Sequence, residues 1–249
     1  MHRLYRWSGA IVFLLLYQAM VMLEVNSFFF QPIPNILRSL ISGFASGLLW
    51  KQLSVSLMEI AVSFTLATLA GLTLGSLIGR SPLLSKAFEP VIFAIYSVPL
   101  FVLYPVFVVW LGLDISSKIA FATVYAFFPI TINAIAGFRT VDDNLVVLTR
   151  SMGGNAWQTI WKVQLPSSMP AIFAGLRTGL SLALIGVVAT EFLVSLRGIG
   201  YELQEASTRF DIARLYGITL LIFALGVLVN NGLEWVDRSL NRWRGDGHV

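Results

Sequence analysis

The 249-residue chain is 57% hydrophobic and only 12% charged, against roughly a quarter charged in an average soluble domain, so its apolar surface exceeds what one globular core can bury and calls for lipid. With no cysteine there is no disulfide framework or thiolate chemistry, and with both histidines, His2 and His248, at the chain ends, an imidazole-based metal site or proton relay has no residues to build on. The formal charge of +4 is spread over the ends of apolar stretches and forms no basic face, which excludes a nucleic-acid interface.

Six stretches reach the roughly 20 residues needed to cross the hydrocarbon core: 7–30, 54–79, 90–111, 118–138, 171–193 and 215–236. The first follows Arg3 and Arg6, and Glu24-Val25-Asn26-Ser27 offers no small-x-small cleavage pattern, so an uncleaved span is expected in place of a signal peptide. An even number of spans puts both termini on one side, and Arg3, Arg6, Arg238, Arg242 and Arg244 mark that side as the cytoplasm. The same parity brings Arg80, Lys86, Arg139, Arg150 and Lys162 inside and leaves Arg38, Lys51, Arg197, Arg209 and Arg214 outside.

After the first span, Pro32 and Pro34 break the chain. Leu37, Leu40, Ile41, Phe44 and Leu48 then recur near helical spacing, which predicts a helix on the outer membrane surface. In the second span Ser63, Ala67, Gly71, Gly75 and Gly79 recur every four residues, a ridge of small side chains that lets another backbone approach; Gly175, Gly179 and Ala183 repeat the device in the fifth. The third span carries Pro90 at its start, then Pro99 and Pro105, and the fourth carries Pro129. Pro99, Pro105 and Pro129 are each expected to leave a carbonyl unpaired, so these helices should face protein or water. Tyr96, Ser97 and Tyr104 beside the breaks are candidate hydroxyls for a passing solute as well as candidate packing residues. Near the outer end of the fifth span, Glu191 would cost about 2.5–3.5 kcal/mol facing lipid at mid-bilayer, and so should face protein, water or Arg197. Arg177 in the same span can snorkel to the cytoplasm. The polar run 197–209 is an outer loop suited to docking.

The longest polar interruption between spans, 139–170, holds two short predicted helices. Asp142 or Asp143 caps the first, which runs through Leu145, Val146 and Leu148 to a glycine stop at Gly153-Gly154; Asn155 caps the second, and Pro166 ends it. Trp157, Ile160 and Trp161 fall at i, i+3 and i+4, an aromatic face with little to bury against in its own loop and therefore suited to a partner.

Gly153, Val163, Leu165 and Pro166 stand at the spacing of the EAA motif, Glu-Ala-Ala followed by Gly and then Ile-x-Leu-Pro, and the chain resembles the binding-protein-dependent ABC importer permeases in which that motif marks the cytoplasmic coupling loop. The family's Glu-Ala-Ala is here Val147, Leu148 and Thr149. Tyr96-Ser97-Val98-Pro99-Leu100, Phe127-Phe128-Pro129-Ile130 with Asn133, and Gly198-Ile199-Gly200-Tyr201 resemble the nitrate, sulfonate and taurine branch. The resemblance implies an all-α polytopic bundle with the type I importer fold, in a bacterial inner membrane. It implies a coupling helix at 155–164, with Gly153, Asn155, Ala156, Trp157, Ile160, Trp161, Leu165 and Pro166 as coupling residues. Tyr96, Ser97, Pro99 and Tyr104 beside the proline breaks become candidates for the pathway, and the resemblance implies a role at the outer gate for Glu191, since family members often carry an acid just ahead of a Gly-x-Gly, matched here by Gly198 and Gly200. The implied partners are cytoplasmic ATPase subunits that hold ATP and magnesium, a second permease copy, and a periplasmic or lipid-anchored solute-binding protein.

Two other classes are weighed against this one. A carrier driven by an ion gradient would need buried acids or interrupted helices placed symmetrically in two halves, and the sequence shows neither clearly. An intramembrane hydrolase has only Phe44-Ala45-Ser46-Gly47 to offer, without a preceding glycine or any histidine base, and HExxH is absent. No GxxxxGK[ST] phosphate loop occurs either, so ATP chemistry would belong to another polypeptide. The branch resemblance implies a small anion of the sulfonate, taurine or nitrate type as the solute, with a thiamine precursor or other small organic as the alternative.

Overall fold

The computed structural model describes residues 17–19, 21 and 30–240; the expected first span falls almost wholly outside them, as do Arg242 and Arg244. The described residues form helices: α1 (Ile33–Ala45), α2 (Leu48–Gly79), α3 (Pro82–Tyr96), a 3-10 turn (Leu100–Leu103), α4 (Tyr104–Leu111), α5 (Ile115–Arg139), α6 (Asp143–Ser151), α7 (Ala156–Thr159), a π turn (Ile160–Gln164), α8 (Leu165–Leu193), α9 (Ile199–Thr208) and α10 (Ile212–Leu240). Among them, α2, α5, the run from α7 through α8, and α10 are each long and apolar enough to cross a membrane; α3 and α4 make a fifth if they are one span bent by 77°.

The bundle is built around α5, which packs along α2 on one side and α8 on the other. The small-residue ridges make that contact. A Cβ on Gly75 would lie 2.5 Å from the Ala134 Cβ, and one on Gly179 would lie 2.5 Å from Ile130 Cγ1, so only glycine admits α5 this closely. Ala67, Ala126, Ile130 and Ala183 form the resulting core, where small side chains replace the leucines of a soluble bundle. Toward the α3–α4 bend the packing turns aromatic, with Tyr104, Phe121 and Phe128 buried together. α1 packs on α10 and α2, and α9 lies against α8, α10 and α2.

Three proline expectations need correction. Pro90 lies inside α3, which starts instead at Pro82, where a missing N–H costs nothing. Pro105 stands in the first turn of α4 and so orphans no carbonyl; the break in the third span is at Ser97 to Pro99. Pro166 does not end a helix. The chain widens into a π turn over Ile160–Gln164 just before it, giving the ring room, and continues unbroken through Pro170, so the helix that carries the fifth span begins before 171. Pro129 is buried within α5, as expected of a proline facing protein.

Candidate functional site

Two regions at opposite ends of the bundle hold the functional candidates. At the loop end the local chemistry matches the sequence. Asp142 accepts from the Asn144 N–H at 2.8 Å and starts α6, and Gly153, at φ +81, closes it. Asn155 and Gln158 then form a reciprocal capping box, Gln158 N–H donating to Asn155 Oδ1 at 2.8 Å and Asn155 N–H to Gln158 Oε1 at 2.9 Å. This cap holds Ala156 at the start of α7 and aims the aromatic face that follows.

Trp157 and Trp161 are 67% and 51% exposed, their rings tilted 5.2 Å apart. With Ile160 and Leu165 they line an apolar groove of about 630 Å³ whose far wall is Leu72 and Leu77 of α2. α6 presents a second apolar surface: Leu145, Val147, Leu148 and Met152 are all exposed, and Leu145, Leu148 and Met152 stand at i, i+3 and i+7, a helical spacing that marks them as one face. Pro166 is half-buried at the base of this segment, where the π turn meets α8.

At the opposite end lies a buried polar network. Glu191 is fully buried, and its carboxylate accepts from the Ser56 hydroxyl at 2.7 Å and from the Gly200 N–H at 2.8 Å; no contact joins it to Arg197. Ser56 also accepts from the Ile199 N–H at 2.8 Å. Beside it, Gln52 accepts from the Gly198 N–H at 2.8 Å and donates to Glu202 at 3.0 Å, and Glu202 pairs with Arg214. The turn Gly198-Ile199-Gly200 is thus wrapped over the carboxylate and pinned by its own amides. Glycine is required here, because a Cβ at 198 would fall 1.9 Å from Glu191 Oε1 and that residue's φ is +104.

Adjacent to Glu191, Glu59 of α2 and Lys118 of α5 form an ion pair at 2.6 Å with exposures of 0% and 3%, and Lys118 also donates to Ser195 at 3.1 Å. The two carboxylates and the ammonium interact with one another. Glu59 thus joins Glu191, which the sequence already places against protein or water, as a second buried acid inside a span. The detectable sign was the lone charge itself, since an ionisable residue inside a span faces the bundle and finds a partner. Gln52, Ser56, Glu59 and Ser63 recur at helical spacing on the face of α2 that continues into the small-residue ridge, so one face is polar at one end and backbone-smooth at the other.

The remaining pathway candidates belong to the aromatic layer. Tyr96 is half-buried with its ring 5.8 Å from Phe128, and Tyr104 is buried with its ring 5.4 Å from Phe121. Ser97 is exposed and donates to the Ala94 carbonyl at 2.7 Å, satisfying the frayed end of α3, and Pro99 follows in the bend. The structure brings these four together at the α3–α4 break; none of them bonds Glu191, although buried Tyr104 lies near Glu59.

Residues 67–242 match the family model described as binding-protein-dependent transport system inner membrane component. The chain is 30% identical over 227 residues to the taurine transport system permease protein TauC of Escherichia coli (strain K12), covering 89% of this chain and 82% of that protein. It is 32% identical over 199 residues to the putative aliphatic sulfonates transport permease protein SsuC of Bacillus subtilis (strain 168), covering 80% and 72%. It is 28% identical over 214 residues to the formylaminopyrimidine transport permease protein ThiX of Halalkalibacterium halodurans, covering 86% and 85%. In fold it is similar to a chain of the MetNI methionine ABC transporter in inward-facing conformations, with a TM-score of 0.65 at 20% identity over 74% of this chain and 92% of that one.

Proposed function

The chain belongs to the family of binding-protein-dependent transport system inner membrane components, and on that premise we propose that it forms half of the pathway of an ATP-driven importer for a small sulfonate-type anion. It is a non-catalytic permease subunit of an ABC transporter. A second copy completes the pathway, separate cytoplasmic subunits bind and hydrolyse ATP with magnesium, and an external binding protein delivers the solute. The observation that carries the coupling role is the segment from α6 to the π turn. It holds Leu148, Met152, Trp157 and Trp161 exposed at the loop end of the bundle, an apolar surface suited to a soluble partner. Closure of the ATPase pair would pull on this segment. Because α7, the π turn and α8 are continuous, the pull would reach the span that carries Glu191 at its far end.

In this mechanism the Glu191 network is the outer latch: opening that end separates the Gly198–Gly200 turn from the carboxylate. The sulfonate assignment rests on the relatives that move taurine and aliphatic sulfonates, and the formylaminopyrimidine relative supports a thiamine precursor as the second candidate. Reconstitution with the cognate ATPase and binding protein tests both. Taurine or an alkanesulfonate should stimulate ATP hydrolysis and accumulate in the vesicles. Stimulation by formylaminopyrimidine alone would transfer the assignment to the second candidate, and failure of the chain to retain any ATPase would remove the coupling role.

A further inference from the structure

We infer that the loop end of α2, α3 and α5 binds one anionic phospholipid, its headgroup among basic side chains and an acyl chain between α3 and α5. The last residues of α2 and α5 and the first of α3 meet around a cavity of about 410 Å³ lined by Arg80, Lys86, Glu89, Arg139, Asp143 and Gln164. All three helices contribute to candidate spans, and Gly79, Arg139 and Pro82 are span termini. The cavity therefore sits at a membrane boundary, where lipid headgroups lie.

Its charges are unevenly paired. Arg139 holds Glu89 through both carboxylate oxygens at 2.7 and 2.8 Å. Asp143 stands in the first turn of α6, where a carboxylate complements the helix dipole. Arg80 donates Nε to the Ser76 carbonyl at 2.8 Å, and among the described residues neither Arg80 nor Lys86 forms an ion pair. Arg80, which also borders the groove of Trp157 and Trp161, and Lys86 thus line the cavity without an acidic partner, a donor set suited to a phosphate group.

A second cavity, about 200 Å³, shares Glu89 and Arg139 with the first and runs away from it between Ile92, Phe93, Ile132, Ile135 and Ala136. It is apolar, and it lies along the spans, on the α3–α5 seam. A phosphate-binding mouth that adjoins an apolar cleft of this kind, the two sharing the paired Glu89 and Arg139, matches an acidic head on an alkyl chain; a free anion would leave the cleft empty, and a neutral lipid would leave the two cations unmatched. Juxtamembrane Lys and Arg each contribute about 1 kcal/mol to anionic lipid binding.

The test uses the purified full-length permease in nanodiscs, either of phosphatidylcholine alone or of equal parts phosphatidylcholine and phosphatidylglycerol, with spin-labelled phosphatidylglycerol or phosphatidylcholine as probe. The wild type should hold a motionally restricted phosphatidylglycerol that is absent with the phosphatidylcholine probe. Arg80→Gln with Lys86→Gln should weaken it roughly tenfold or more, as loss of two such contacts requires. Lys51→Gln, at the other end of α2, should leave it unchanged. Ala136→Phe, which fills the cleft and keeps both cations, should also displace it. Unchanged binding in the double variant or in Ala136→Phe overturns the inference. Displacement by millimolar inorganic phosphate alone would do the same by making the site one for free anions, and so would a disulfide formed between two copies of Ala136→Cys, by placing a second permease over the cleft. None of these readouts involves transport or ATPase, so the lipid site and the importer role stand or fall separately.

Discussion

Gly198 and Gly112 form a matched pair that isolates the effect of the buried carboxylate. Their backbones occupy the same glycine-favouring region, φ 104, ψ 168 and φ 83, ψ 174. A Cβ at 112 would have no atom within 4 Å, whereas one at 198 would lie 1.9 Å from Glu191 Oε1. Alanine at either position therefore costs about 1–3 kcal/mol of backbone strain. Only Gly198→Ala must also push a buried side chain aside, for about 1–3 kcal/mol, and weaken hydrogen bonds to a charged group worth about 1.5–3 kcal/mol. The excess for Gly198→Ala over Gly112→Ala is thus about 2.5–6 kcal/mol. At about 2–4 °C per kcal/mol in a chain of this size, the two variants should differ by about 5–24 °C in unfolding midpoint. The midpoint is read as heat-induced loss of the monodisperse peak in detergent. Adding Glu191→Ala to Gly198→Ala should recover part of the loss, since it removes the obstructing atoms, and the double variant should fall short of the sum. Equal midpoints for Gly198→Ala and Gly112→Ala would refute the claim that the turn is shaped around the carboxylate.

Glu191→Ala should abolish most solute uptake while ATPase pull-down stays at the wild-type level; normal uptake would make the network structural only. Removing one partner of the buried Glu59–Lys118 pair, by Lys118→Met or Glu59→Gln, should destabilise by about 3–5 kcal/mol, and changing both together to Met should restore most of it, because an unpaired buried charge costs more than the pair contributes; a double variant as weak as either single one would show that the pair itself is the stabilising element. Trp161→Ala should weaken ATPase association roughly thirtyfold if the ring is an interface anchor, with Trp157→Ala similar and exposed Lys162→Ala within about 1 kcal/mol of wild type. Equal recovery across that set would assign the aromatic face to the groove it shares with Leu72 and Leu77, and docking to Leu148 and Met152 of α6.

What the chain declares locally, it declares clearly. Asp142, Gly153 and Asn155 act within a turn of themselves, so their capping roles follow from residue type and spacing. The ridge from Ser63 to Gly79 is equally legible, because a period of four small residues has few other uses in a span. Pro166 misleads because its usual effect on a helix depends on how the preceding turn is wound, and a π turn has no distinctive composition. Lys118 and Glu59 were hidden by distance along the chain: each looks like a stray charge at a span end until α2 and α5 are laid side by side. Glu191 could be placed against protein, but Ser56 as its donor could not be identified, since one serine among many apolar residues carries no mark of its partner.

The two ends of the α2–α5 seam differ in mechanical character. Where Glu59 meets Lys118 the contact is directional and desolvated, and sliding one helix past the other there would expose an ion in a medium that cannot hydrate it. From Ala67 to Gly79 the same seam is held by close, non-directional contacts of methyl groups and backbone, which can slide along one another without exposing a charge. A torque applied near Arg139 would therefore meet low resistance at its own end and high resistance at the other, so the seam behaves as a lever with its fulcrum at the charge pair, next to the carboxylate that Gly198 and Gly200 enclose.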